Sequence, residues 1–387
     1  MNYISFPKVV VSFIFISFLF QVGCDENNFH SIPNEKCFEA NNEKNLSGEF
    51  TEDGTCIYKH SLTVGKIDIL FVIDNSKSMY KEQQKIADRF PTFISTVWPM
   101  DFQIAIMTTD ITKDPVRSGQ FVTLSNGKKI LSNSDGSTIN EVNQVFSNSV
   151  TRQETLDCDN FNGNCPSGDV RGIYAANLAI TKNKSFFRPD AHTAIIILSD
   201  ADERVFGGFR EGFRLDPNWD TPASLVNKLA NLDPSKTTSV HSIIVNPGHS
   251  SLADHLKTTY ELQKDVSCYN QQNNEGGGVL GFYGTQYYAL SNPSEELKSS
   301  GNLVKGTIGS ICASDYGREL TNISSNVKNN IKTIGLRCNP FRLDVYETGN
   351  PNNKVPHTVI KSNQVKLEGF IPIGLRITVE AECENIH

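Results

Sequence analysis

Hydrophobic and polar positions follow two rhythms along this chain. Between residues 64 and 334, short and nearly unbroken apolar runs alternate with longer amphipathic stretches. The apolar runs are Ile67–Ile73, Phe102–Met107, Thr193–Leu198 and Val240–Val245. Rich in β-branched residues and four to eight residues long, such runs predict strands buried on both faces, as in a parallel sheet. The stretches between them repeat at helical spacing. Lys81–Val97 carries Ile86, Phe90, Phe93, Ile94 and Val97 on one side, with Pro91 expected to kink or restart the helix. Thr138–Phe146, Val170–Thr181, Pro222–Leu232 and Ser314–Ile331 read as further helices, the third started by Thr221 as N-cap with proline just inside. Phe121–Leu131 holds a hairpin signal at Asn126-Gly127, and residues 249–310 are the least regular stretch. From Gly335 the rhythm changes to strict alternation through Phe341, Leu343, Val345, Val365, Leu367, Leu375, Ile377 and Val379. The fold class expected is α/β: a doubly wound, mostly parallel sheet over residues 64–334, followed by a small C-terminal β module over 335–387.

Composition places the chain among ordinary globular proteins, with 38% apolar and 20% charged residues. A net charge of -7 without a basic cluster argues against nucleic-acid partners, which require a cationic face. The amino terminus reads as a targeting segment. Lys8 is followed by the apolar run Val9–Phe20 and then by Gln21-Val22-Gly23-Cys24. That run is too short for a membrane span and has the layout of a signal peptide, assigned to residues 1–23. A cysteine after a small residue at this place resembles the lipobox of bacterial lipoproteins, although Gln21 stands where an aliphatic residue is usual. The resemblance implies that Cys24 becomes a lipidated amino terminus; a plain signal peptide is the alternative. Residues 24–63 then read as a polar tether. Of nine cysteines, eight remain after Cys24, an even number that in an exported chain points to disulfides. Pairing of neighbours is the economical arrangement: Cys37–Cys56, Cys158–Cys165, Cys268–Cys312 and Cys338–Cys383.

The candidate chemistry sits where the apolar runs end. Ile67–Ile73 is followed by Asp74-Asn75-Ser76-Lys77-Ser78, and Thr193–Leu198 by Ser199-Asp200-Ala201-Asp202-Glu203. Ligands of open α/β sheets bind at the carboxyl ends of the strands, and oxygen-only side chains gathered there suit a hard divalent cation. Read alone, Asp74–Ser78 is also a plausible helix start, with Ser76 as N-cap. Asp110, after the second strand, and Asp202 and Glu203 either surround the ion without touching it or are solvated. The acidic loop Asp157–Asn164 is better read as a disulfide-pinned surface loop than as a calcium loop, and the G-x-G-x-x-G match at Gly276, Gly278 and Gly281 lacks the strand and helix that a dinucleotide site needs.

Taken together, Asp74-x-Ser76-x-Ser78 after one buried strand and Ser199-Asp200 after another resemble the von Willebrand factor type A domain with its metal-ion-dependent adhesion site. The resemblance implies that Ser76 and Ser78 coordinate the ion directly and that Asp74 and Asp200 do so directly or through water. The family's second loop supplies a threonine; here the corresponding stretch is Pro166-Ser167-Gly168-Asp169, so Ser167 or Asp169 would take that place. The implied ion is Mg2+ (or Mn2+ or Ca2+), and the implied partner is a protein presenting an Asp or Glu side chain. The whole layout looks like exported bacterial proteins of this class, lipid-anchored in the cell envelope and acting in adhesion. No G-x-S-x-G, H-E-x-x-H or P-loop is present, so the chain is not expected to be an enzyme. The competing readings are an envelope interaction protein with a degenerate, metal-free site and, further off, a metal-dependent hydrolase.

Overall fold

The computed structural model describes residues 46–50, 55–111, 118–157, 170–203, 215–233, 236–247, 283–361 and 363–383. Strands β1 (Leu46–Phe50) and β2 (Cys56–Thr63) come first, and β3 (Lys66–Ile73) follows across a turn at Gly65, whose φ of +92° only glycine adopts without strain. Helix α1 (Tyr80–Val97) leads to β4 (Asp101–Thr108) and the short β5 (Leu131–Ser132). Helices α2 (Ile139–Val150), α3 (Gln153–Asp157) and α4 (Gly172–Lys182) precede β6 (His192–Ser199), and α5 (Pro222–Ala230) precedes β7 (Thr238–Ile244). The order across the main sheet is β5-β4-β3-β6-β7, with β8 (Leu303–Val304) and β9 (Ile308–Ser310) both running beside β7. Every pair is parallel except the edge pair of β4 and β5.

Both faces of this sheet are covered, which makes the fold doubly wound as expected. Ile67, Ile69, Phe71 and Ile73 of β3 point into one apolar layer with α1, α2 and the helix Gly317–Asn330. Leu70 and Val72 point into the other, with α4, α5 and the helix Thr285–Ser291. Phe71 meets Phe93 edge-on at 5.6 Å and Phe146 at 4.8 Å, so the central strand is locked to α1 and α2 by aromatic contacts.

Pro91 does not restart α1, which is one continuous helix through it. Its missing N–H would have bonded to the carbonyl of Ala87. That carbonyl instead accepts the hydroxyl of Ser147 on α2, at 3.0 Å, so no acceptor is stranded. The hairpin expected around Asn126-Gly127 reduces to its turn, closed by Leu124 N–H to the carbonyl of Lys128, with only β5 continuing as strand. The stretch after 283, expected to be irregular, supplies two helices and the edge strands β8 and β9.

The tether expected over 24–63 requires a correction. Leu46–Phe50 and Cys56–Thr63 form β1 and β2, and β2 pairs along its whole length with β15 (Arg376–Cys383). Cys56, Tyr58 and His60 alternate inward, a period-two pattern that a strand buries on one side. The β module is therefore a sandwich whose larger sheet is β1-β2-β15-β11-β12, with β11 (Pro340–Glu347) and β12 (Asn350–Lys354) from the C-terminal part. The smaller sheet is β10-β14-β13, from Thr333–Gly335, Gln364–Leu367 and His357–Lys361. Val64, Val345, Val365, Ile377 and Val379 fill the space between them, and Cys338 is bonded to Cys383 as expected. Cys56 and Cys312 are also disulfide-bonded. Cys24, Cys37, Cys158, Cys165 and Cys268 lie outside the described residues, as does the glycine motif at 276–281. Among the described residues no helix is long and apolar enough to cross a membrane.

Candidate metal centre

The parallel register of β3 and β6 sets Ile73 beside Leu198, so the two chains leave the sheet side by side. They are knitted there at once: the backbone N–H of Asp74 donates to the carbonyl of Leu198 at 2.9 Å. On the other side, Thr109 at the end of β4 donates its N–H to the carbonyl of Ile73, which brings Asp110 to the same edge. Thr109 in turn accepts from the N–H of Arg171, just before α4. The carboxyl ends of β3, β4 and β6 and the start of α4 thus form one continuous hydrogen-bonded rim.

Asp74 is fully buried on this rim and both of its oxygens are directed. Oδ1 accepts the N–H of Ser76 at 2.8 Å, a local turn that aspartate forms readily. Oδ2 accepts the hydroxyl of Ser199 at 2.7 Å, and the same hydroxyl is held by the backbone of Ala201. Ser199 therefore joins the first loop to the third, and Asp200, the next residue, is itself buried. Ser76 and Ser78 stand with their hydroxyl oxygens 3.2 Å apart. Ser76 does occupy the position before a short 3₁₀ turn, Lys77–Met79, as a helix cap would. Its side chain makes no capping hydrogen bond and faces Ser78 instead, so capping does not account for the serine pair.

The first loop is braced from behind by α1 and α3. Gln83 is fully buried; its amide donates to the carbonyl of Asp74 at 3.0 Å and to the hydroxyl of Thr155, and its oxygen accepts the N–H of Arg152. Thr155 donates to the carbonyl of Asn75, and Asn75 donates to Glu154. The sequence reading missed both residues; the signal for Gln83 was a polar side chain buried with Ile86 and Phe90 on the apolar side of α1, and Thr155 carried none.

The third loop rules out one of the two readings of its carboxylates. Asp202 and Glu203 are not solvated: they are buried, at 5% and 3% exposure, and hold the first turns of two helices. Burial pushes the Glu203 carboxyl well above the usual carboxylate range, against the pull of the backbone N–H groups of Ile173 and Tyr174. Nearby, Arg171 is committed to Asp220 through a forked ion pair at 2.6 and 2.7 Å and lies over the ring of Tyr174.

The donor set fits a hard divalent ion. Asp74, Ser76, Ser78 and Asp200 offer oxygen alone, on loops whose backbones are held from several sides. Among the described residues no three His, Cys, Asp or Glu side chains converge as metal ligands, so an ion here depends on the serine hydroxyls. Ser167 and Asp169, the second-loop candidates, lie outside the described residues; α3 ends at Asp157 on one side of them and Val170 follows on the other.

No protein-family model matches the sequence, and no curated protein matches it. Solved structures with a similar course of the chain include the pilus adhesin SpaC from Lactobacillus rhamnosus GG, at 11% identity and a TM-score of 0.34, covering 89% of this chain and 43% of the adhesin. This chain thus spans less than half of that protein's length. Proximal thread matrix protein 1 from the mussel byssus, with a zinc-occupied MIDAS motif, is similar at 11% identity and a TM-score of 0.34, over 72% of this chain and 51% of that one. The manganese-loaded TRAP protein of Plasmodium vivax is similar at 14% identity and a TM-score of 0.26, over 49% of this chain and 61% of that one.

Proposed function

We propose that this chain is an exported, membrane-anchored binding protein of the von Willebrand factor type A class, which holds a divalent cation at the rim and uses it to bind a protein partner. Asp74, Ser76, Ser78 and Asp200 would hold the ion, with Ser167 or Asp169 completing the set. Mg2+ or a similar ion held there would supply an electrophilic centre suited to an Asp or Glu side chain of the partner. The observation that carries this reading is the pairing of Ser76 with Ser78 beside an Asp74 whose second oxygen is fixed by Ser199. The chain's own residues do the positioning. Gln83 and Thr155 fix the backbone at Asp74 and Asn75, and Ser199 holds the third loop against the first.

Among the described residues, the histidine nearest the site motifs in sequence, His192, favours a binding module over a hydrolase. His192 begins β6 and Ser199 ends it, about 23 Å away for seven strand intervals, with Asp200 beyond. Both of its ring nitrogens are already hydrogen-bonded, to Thr237 and Ser239. It is not placed to act as a base at the rim. The role as an envelope-anchored adhesion protein rests on the amino-terminal segment and Cys24.

Thermal unfolding with and without Mg2+ tests the reading. A ligand that binds only the folded state stabilises it by about 2.7 kcal/mol at a hundred times its dissociation constant. The wild-type midpoint is expected to rise with Mg2+ and return with EDTA, and Ser76→Ala is expected to abolish the rise. An unresponsive wild type would leave the metal-free envelope protein as the better reading.

A further inference from the structure

The third loop does more than present Asp200. Glu203 Oε2 accepts the N–H of Ile173 at 2.8 Å and the hydroxyl of Tyr287 at 2.9 Å, while Oε1 accepts the N–H of Tyr174 at 3.0 Å. Tyr287 in turn accepts the N–H of Gly172 at 3.1 Å, so three successive amides at the start of α4 end on this pair. The neighbouring Asp202 accepts the N–H of Gln286, in the helix Thr285–Ser291. Space is as tight as the bonding. A Cβ on Gly172 would lie 2.9 Å from the Tyr287 oxygen, so only glycine lets the tyrosine reach in. Both Glu203 and Tyr287 are buried, and both Glu203 oxygens are used up by these donors.

We infer that Glu203 and Tyr287 are positioning residues for the metal centre, acting through the loop that carries Asp200 and through the start of α4. This inference rests on the metal reading above. The physical case is one of leverage. Asp200 sits between two fixed points, the Ser199 hydroxyl bound to Asp74 on one side and the Asp202–Glu203 pair bound to two helices on the other. With the second point removed, the loop retains its hydrogen bonds at Ser199 and Ala201 but loses its hold on α4, and Asp200 can shift relative to Ser76 and Ser78. Glu203 does not need to touch the ion to matter. Groups that orient metal ligands without binding the metal typically change affinity by about ten- to a hundredfold when removed.

The test uses the full chain and Mn2+ alone, titrated while the electron paramagnetic resonance signal of the free ion is followed. Wild type is compared with Glu203→Gln, Tyr287→Phe and Val379→Ala. The last opens a cavity in the β module core and serves as a control for general destabilisation. Glu203→Gln places an amide N–H₂ where a backbone donor needs an acceptor, and is expected to weaken Mn2+ binding roughly tenfold or more. Tyr287→Phe removes one oxygen and is expected to weaken it less, while Val379→Ala retains wild-type affinity. Hydrogen exchange of the metal-free protein gives a readout that does not involve the ion: peptides spanning 198–203 are expected to exchange faster in Glu203→Gln and unchanged in Val379→Ala. If wild type binds Mn2+ and both rim variants bind it equally well, the positioning role is wrong while the metal reading stands. The positioning role is equally wrong if Val379→Ala weakens binding as much as they do. If wild type binds no Mn2+, both fall together. Should Glu203→Gln fail to fold, Tyr287→Phe decides alone.

Discussion

Two buried histidines make the stability of this fold acid-sensitive by an amount that can be worked out. Thr307 donates its backbone N–H to Nδ1 of His241 at 3.2 Å, so Nε2 carries the proton and donates to the Ser239 hydroxyl at 2.9 Å. Ser239 then donates to Nε2 of His192 at 2.8 Å, His192 donates through Nδ1 to Thr237 at 2.9 Å, and Thr237 donates to the carbonyl of Thr333 at 3.1 Å. Every member has one role in this chain, which only two neutral imidazoles can satisfy. Burial pushes both rings from 6.5 down to about 3, with the neighbouring His241 and Lys236 adding to the effect at His192. A depressed folded value means stability that is complete above 6.5 and is lost as pH falls toward 3. The loss is about 1.4 kcal/mol per pH unit per ring, hence about 2 kcal/mol each between pH 6.5 and 5, and about 4 kcal/mol together. Glu203 works in the opposite sense: its raised folded value means stability that is present at low pH and lost as pH rises from 4.5. The variant comparison removes that background. Urea unfolding in EDTA, followed by tryptophan fluorescence at pH 7 and pH 5, is expected to show His241→Gln losing about 2 kcal/mol less than wild type across this interval. Equal losses in the two proteins would refute the reasoning.

Two other perturbations bear on the scaffold. Asp68 is fully buried in β3, where it accepts Arg188 N–H and Nε at 2.7 and 2.8 Å and lies 3.3 Å from Lys236, so Asp68→Ala takes the contacting carboxylate from the buried Lys236 and leaves Arg188 with Asp101 alone; it is expected to destabilise by about 3–5 kcal/mol in urea unfolding; a change below about 1 kcal/mol would contradict the ion cluster's role. The Cys338–Cys383 bridge closes a span of 45 residues, for which loop entropy predicts a loss of about 4 kcal/mol in a Cys338→Ser/Cys383→Ser double variant. The loss should be largest for the β sandwich, read by hydrogen exchange of β2 and β15, and an unchanged exchange rate there would count against it.

Most of the main sheet was legible because its buried strands are short, β-branched apolar runs bounded by polar residues. Ile67–Ile73 and Thr193–Leu198 come within a residue or two of β3 and β6. The helices were legible from their apolar stripes, and Thr221 as the cap of α5 from its chemistry, with Ser224 N–H donating to it at 3.2 Å. What failed did so for reasons of context. The effect of Pro91 depended on a serine 56 positions away in sequence that could take over the Ala87 carbonyl. β2 was hidden because its partner, β15, lies at the other end of the chain, and a half-buried segment such as Cys56–Thr63 reads as polar until that partner is known. At the rim, Asp74, Ser76, Ser78 and Asp200 stood out as a spacing pattern. The roles of Ser199, Gln83 and Glu203 did not, because each depends on which backbone groups the fold brings within reach. The sequence left Asp202 and Glu203 open between a supporting place around the ion and a solvated one; two helix starts supply the donors that make their burial tolerable.

The central claim is that a divalent ion sits among Asp74, Ser76, Ser78 and Asp200, and locating the ion tests it most directly. Crystals grown with Mn2+ and measured near the manganese edge would show it as an anomalous peak. The account predicts one peak within bonding distance of the Ser76 and Ser78 hydroxyls, absent in crystals of Ser76→Ala/Ser78→Ala, with Ser167 or Asp169 identified as the second-loop ligand. No peak at the rim in the wild type, at a Mn2+ concentration that saturates any solution binding, would contradict it.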